Sequence, residues 1–409
     1  MKFKLTIFIL LLLAACQPPR EKEENDTAED PLMAKADSLA HTYIITDGHV
    51  DLPYRLKSSD FDPDQDAQLL ISTESGEFDY ERAREGGLDA PFMSIYIPSS
   101  YQETGGAKEL ADSLIDMVEN MTRLFPNRFA LATSPSDVRR NFEEGKISLP
   151  MGMENGAPIE DDLSNVAYFH DRGIRYITLT HAKNNLICDS SYDTTRLWNG
   201  LSEFGNEVVK EMNRVGIMVD ISHVSDSTFY DVMDLTDVPV IASHSSCRHY
   251  TPGFERNMSD DMIRRLGEEN GVIQINFGST FLDAHSQEVQ NALREYISEN
   301  GENMSDSARE AYINDYLVDN SFWTDVSKVA DHIDHVVELA GIDHVGLGSD
   351  FDGVGDSLPE GLKDVSMFPN LIAELLRRGY SDEDIEKICY KNVFRVWQAV
   401  EDAAANQDV

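Results

Sequence analysis

Eight short apolar runs, separated by stretches with helical spacing, constrain this chain more than any other feature of its sequence. The runs are YIITDGH (43–49), PFMSIYIP (91–98), ISLPMGME (147–154), IRYITLTH (174–181), GIMVDISH (216–223), VPVIASH (238–244), GVIQINF (271–277) and HVGLGSDF (344–351). Several are apolar on both faces, as strands covered on both sides should be. Between them, Leu110, Leu114, Met117 and Met121 share one helical face in 107–125. The segment 200–216 closes on Gly216, a helix C-cap residue, and 324–341 carries Val326, Val329, Ile333, Val336 and Ala340. Strands alternating with helices imply a parallel sheet. Eight of them, with no glycine-rich phosphate loop after the first, predict an α/β fold of the (β/α)8 TIM-barrel type. No repeat and no break in composition divides residues 34–409, so one catalytic barrel domain is expected there. The stretch from about 282 to 323 is long and polar, and reads as an insertion covering the C-terminal face.

The strand ends carry the chemistry. Strand one ends on His49 and Asp51, which share a face because side chains alternate along a strand. Strand three ends on Glu154, strands four to six on His181, His223 and His244, and strand eight on Asp350. In a barrel all these ends meet at one face, where active sites sit. Imidazole with carboxylate and no thiolate suits Zn²⁺ or a similar divalent ion. The set is too large for one catalytic ion with an open position and suits two ions about 3.5–4 Å apart sharing a carboxylate.

Charge excludes other classes. The 409 residues hold 34 basic and 74 acidic side chains, a formal charge of −40, which argues against a nucleic-acid partner. MKFK followed by LTIFILLLL has the form of a signal peptide, with an apolar run too short to span a bilayer. LAAC, at Leu13–Cys16, resembles the bacterial lipoprotein cleavage box, so residues 1–15 read as a leader and Cys16 as the lipidated residue. Residues 16–33, charged and almost without apolar side chains, read as a disordered tether to the membrane. The catalytic domain is then expected outside the cytoplasm, anchored to the bacterial cell envelope. Cys188, Cys247 and Cys389 form no C-x-x-C and are expected as unpaired thiols.

DGHVDLP, GMENG, YITLTHAKNN, VDISHVS, ASHSSCRHY, ERNMSDDM and GLGSDFDGV, in this order, resemble the membrane dipeptidase family, the renal dipeptidase-like metallopeptidases of the amidohydrolase superfamily. The resemblance runs from about residue 40 to 400. It implies zinc-dependent hydrolysis of dipeptides by a metal-bridging hydroxide, with two Zn²⁺ per chain. It implies His49 and Asp51 on one ion, Glu154 bridging, and His223 and His244 on the other. His181 then stabilises the developing oxyanion, Arg256 holds the substrate's C-terminal carboxylate, and Asp350 moves the proton between water and leaving amine. Some relatives accept a C-terminal D-residue and some open β-lactams, so substrate preference stays open, as does a homodimer.

The sequence departs from the family at Asn155, where many relatives have glycine, and this is expected to reshape the pocket. It also places Phe281 where the animal enzymes carry a tyrosine. His332 and His335, at i and i+3, are expected at a helix edge or in solvent, and His249 and Arg248 near the site or in a loop. A lactonase or deaminase on the same barrel would call for His-x-His and a bridging lysine, which are absent; a metal-free binding lipoprotein would have lost one of the five ligands.

Overall fold

A computed structural model describes residues 30–300 and 304–407. The leader, Cys16 and most of the expected tether lie outside these residues. The first described element, the helix Pro31–Ala40, starts within the stretch read as tether. Asp30 caps it, accepting from Leu32 N, and the helix packs on the helix Phe368–Arg377. No helix among the described residues is long and apolar enough to cross a membrane.

The expected barrel is present. Its strands are β1 (Ile45–Val50), β2 (Leu88–Tyr96), β3 (Met151–Glu154), β4 (Ile174–Thr178), β5 (Met218–Asp220), β6 (Ile241–Ser245), β7 (Val272–Ile275) and β8 (Val345–Leu347). They pair in parallel and in chain order. A parallel bridge between Val50 and Phe351, with Asp350 N donating to His49 O at 3.1 Å, closes β8 on β1. All six residues of β1 are buried, which is why the strand reads as apolar on both faces.

The third run divides. Ile147–Leu149 pairs with Phe129–Leu131 in a separate two-stranded sheet, and only Met151–Glu154 enters the barrel. Pro150 separates the two: it has no N–H to give a ladder, while its carbonyl accepts from Met93 N at 2.8 Å. The helix Glu203–Val215 ends as expected, with Gly216 left-handed at φ 90°.

Inside the barrel, Tyr176 on β4 lies across the interior and is fully buried. Gly152 on β3 makes room for it, since a Cβ there would come within 1.9 Å of the Tyr176 ring. The polar insertion is helical in its described parts, Ala284–Asn300 and Asp306–Asp319.

Candidate metal centre and active site

The strand-end residues do converge. His49 and His244 lie within β1 and β6, and Glu154 is the last residue of β3. His181, His223 and Asp350 lie three residues beyond the ends of β4, β5 and β8. His223 and Asp350 have left-handed backbones, φ 69° and 64°. Such conformations cost energy for a residue with a Cβ and persist where surrounding structure enforces them, as at active sites.

Glu154 is the hub. One oxygen, Oε2, lies 3.4 Å from His49 Nε2, which is itself 3.5 Å from Asp51 Oδ2. The other, Oε1, lies 3.1 Å from His223 Nε2, 3.3 Å from His244 Nε2 and 3.8 Å from His181 Nε2. The two oxygens of Glu154 thus face different donors, Oε2 toward His49 and Oε1 toward His223, His244 and His181.

The tautomers follow from outer partners. Tyr176 donates its hydroxyl proton to Gly48 O at 3.0 Å, so toward His49 Nδ1, at 2.8 Å, it must accept. His49 thus carries a proton on Nδ1, which leaves Nε2 facing Glu154. Ser243 Oγ likewise donates to Asp220 Oδ2 at 2.6 Å and accepts from His244 Nδ1 at 2.8 Å. Asp220 is fixed by Thr178 Oγ1, Ser222 N and Ser243 N. Both imidazoles are held with Nε2 turned inward, the arrangement by which outer groups orient metal-binding histidines.

The two inward nitrogens differ: His244 Nε2 meets His223 Nε2 at 2.9 Å, and His49 Nε2 has no hydrogen-bond partner. Asp51 Oδ1 is likewise buried without a hydrogen bond. Burial favours neutral His49, yet the Tyr176 phenol and the Glu154 and Asp51 charges hold it well above the usual imidazole range. Burial works against ionised Glu154 too, and the surrounding imidazoles hold it well below the usual carboxylate range. The site calls for positive charge at its centre. His49, Asp51, Glu154, His181, His223, His244 and Asp350 fall into overlapping groups whose ligand atoms lie within 4.8 Å of one another. The donor set fits divalent ions bound by imidazole and carboxylate.

The centre floors a cavity of about 740 Å³, within the usual range for small-molecule sites. His181 lines it with its ring edge against Tyr96, centroids 4.9 Å apart. Burial, then the Arg256 and His49 charges, push His181 below the usual range, so it is a neutral imidazole. Asp350 also lines the cavity, its Oδ2 accepting from Asn276 Nδ2 at 2.8 Å. Burial and the Asp51 and Glu154 charges raise its carboxyl to about 7, against the opposing pull of His49 and Arg256. Arg256 is buried over the ring of Phe281 at 5.4 Å. Its Nη1 donates to Ser245 Oγ and its Nη2 to His244 O, both at 2.7 Å, while Nε has no partner.

Two expectations need correction. Asn155 does not reshape the pocket: it is fully buried, its Nδ2 donating to Ile97 O and Gln102 Oε1 and its Oδ1 accepting from Ala157 N and Asn185 Nδ2. Its φ of 80° explains the glycine of relatives, because asparagine tolerates the left-handed region best after glycine. His332 is not at an edge but fully buried, accepting from Cys247 N and donating to Leu282 O, each at 3.0 Å. His335 Nε2 is hydrogen-bonded to Asp260 Oδ1 at 2.9 Å, Arg248 pairs with Asp226, and His249 stacks on His335, all apart from the seven-residue centre. Cys188, Cys247 and Cys389 are free and buried, as expected. Sequence reasoning missed Tyr176, Ser243, Asp220 and Asn276, and the cavity walls Tyr54, Tyr96 and Tyr192.

Comparison with known proteins agrees with this geometry. The model of the family described as membrane dipeptidase (peptidase family M19) matches residues 33–409. The chain is similar to dipeptidase tcpJ of Claviceps purpurea, 33% identical over 412 residues, covering 97% of this chain and 88% of that protein. An uncharacterized dipeptidase of Schizosaccharomyces pombe is 32% identical over 383 residues, covering 90% of this chain and 83% of its own. Among solved structures, the probable dipeptidase PvdM of Pseudomonas aeruginosa superposes with a TM-score of 0.77 at 27% identity, covering 91% of this chain and 99% of that one. A Rhodobacter sphaeroides metallo peptidase liganded with a phosphinate mimic of the dipeptide L-Ala-D-Ala gives 0.72 at 26%, covering 88% and 99%. The chain belongs to the membrane dipeptidase family of metallopeptidases, peptidase family M19.

Proposed function

We propose that this dipeptidase uses two zinc ions, and that its substrates include dipeptides with a C-terminal D-residue. The carrying observation is the division of Glu154, one oxygen toward His49 and the other toward His223 and His244, with Nε2 of both strand histidines forced inward. The ions, held by His49, Asp51, Glu154, His223 and His244, would acidify a bound water and polarise the scissile carbonyl. Neutral His181 donates toward the oxygen on which charge develops. Asp350 takes a proton at a carboxylate oxygen and returns it to the leaving amine. Asn276 holds that carboxylate in place. Acceptance of a D-residue is supported by the L-Ala-D-Ala mimic held by the Rhodobacter sphaeroides relative. The test is a panel of L-L and L-D dipeptides with and without chelator. Hydrolysis that survives full chelation would overturn the metal reading, and a failure on every L-D pair would overturn the D-residue reading.

Arg256 is proposed to bind the substrate's terminal carboxylate. Arg256→Ala also removes two bonds to the β6 strand that carries His244, so a general loss is expected. The informative quantity is a ratio. Free dipeptides should lose at least about tenfold more kcat/KM than their C-terminal amides, mostly through KM, because a carboxylate contact persists from ground state to transition state. Equal losses would remove Arg256 from substrate binding.

Anchoring rests on LAAC after the apolar leader. We propose that Cys16 carries lipid and holds the domain outside the cytoplasm. Wild type should sediment with membranes until detergent is added, and Cys16→Ser should not. Intact mass showing no lipid on Cys16 of the mature wild type would overturn this.

A further inference from the structure

The insertion between β7 and β8 brings into the cavity a charge that the roles above leave unused. Arg294, on the helix Ala284–Asn300, lines the same cavity as Glu154 and Asp350. Gln287, Gln290 and Asn291 line it from the same helix. These four stand at i, i+3, i+4 and i+7, which is one helix face. The acidic residues of this helix, Glu288, Glu295 and Glu299, fall about a quarter turn or more away, and none lines the cavity.

Among the described residues Arg294 has no ion pair and no hydrogen bond, in a chain with 74 acidic and 34 basic side chains. A guanidinium left unpaired on an otherwise uncharged face, lining the cavity that the catalytic centre floors, is placed for an anion that arrives with the substrate. Tyr192, also in the cavity wall, indicates which end of the substrate. Its ring packs against Phe254, which packs against Phe281, the ring over which Arg256 lies. Phe281 lines the same cavity and stands three residues before the helix that carries Arg294, so the wall beneath Arg256 leads directly into that helix. Arg256 faces the terminal carboxylate, so a second anion near Arg294 belongs to the same C-terminal residue.

We infer that Arg294 selects dipeptides whose C-terminal residue carries a side-chain carboxylate, aspartate or glutamate. This rests on the dipeptidase reading above. The guanidinium pairs the second carboxylate while the scissile carbonyl lies over the metal centre.

The experiment compares kcat/KM for Ala-Glu with Ala-Gln, and Ala-Asp with Ala-Asn, in both L and D series of the C-terminal residue. Wild type should favour the acid over its amide isostere by about tenfold, the scale of a charge-assisted contact partly screened by water. Arg294→Gln should bring that ratio near one, and Arg294→Glu should turn it in favour of the amide. Glu295→Gln, on the outer face of the same helix, should keep the wild-type ratio. High salt should shrink the wild-type ratio and leave that of Arg294→Gln in place. If wild type treats acid and amide alike, or if Arg294→Gln lowers both in proportion, the inference falls while the dipeptidase reading stands. If no dipeptide is cleaved, the reading itself falls and takes the inference with it.

Discussion

Glu154→Gln should leave a folded protein with little bound metal and with kcat/KM lower on the order of 10³-fold or more. The carboxylate is shared: its two oxygens lie 3.1–3.4 Å from the inward nitrogens of His49, His223 and His244. Glutamine keeps one oxygen, loses the charge and turns an N–H donor toward nitrogens that have no lone pair to spare once an ion is bound. Both ions should weaken together, whereas loss of a ligand to one ion should spare the other. Elemental analysis should find about two divalent ions per wild-type chain. A Glu154→Gln protein that retains two would overturn the bridging role. Chelated wild type should also melt lower than the loaded protein, because an ion that binds only the folded state stabilises it by RT ln(1 + [L]/Kd), about 4 kcal/mol at a thousandfold excess over Kd. Equal melting temperatures would mean that the buried donors hold no ion in the folded protein.

The barrel and its cluster of strand-end donors were legible for one reason. A parallel sheet covered on both faces writes its strands as unbroken apolar runs, so a histidine or carboxylate that ends such a run stands out. What orients those ligands was not legible. Tyr176 sits in the middle of an apolar run and reads as core, and its contact with His49 spans 127 residues of sequence. Ser243 and Asp220 look like ordinary polar residues until the two strands are paired and Ser243 Oγ meets both Asp220 and His244. Asn155 was misread because composition does not tell where a left-handed residue aims its side chain. His332 was misread because the backbone that covers it, at Leu282, enters the fold with the insertion. Residues placed by local pattern could be found; residues placed by long-range pairing could not.

Asp350→Asn separates chemistry from binding and from stability. Asp350 is proposed to move the proton, which matters only as the bond breaks, so kcat should fall by about 10²–10⁴-fold with little change in KM. The change is nearly isosteric, since the asparagine oxygen can still accept from Asn276 Nδ2. The metal content should therefore stay near two, and a loss of metal would recast Asp350 as an essential ligand. The pH profile carries a second signature. Ionised Asp350 is the form that accepts a proton, so wild-type kcat/KM should rise through its pKa and Asp350→Asn should lose that acid limb. In the metal-free protein the carboxyl lies at about 7, pushed up by burial and by Asp51 and Glu154, and bound cations would bring the limb lower. The same shift has an opposite effect on folding. A carboxyl raised from 3.8 to about 7 in the folded state binds a proton there that the unfolded chain has released, so its contribution to stability declines as pH rises between those values. Chelated Asp350→Asn should accordingly melt higher than chelated wild type at pH 8, with the difference shrinking toward pH 4. A variant that loses activity without gaining this pH-dependent stability would show that Asp350 is not a carboxylate held at a cost to the fold.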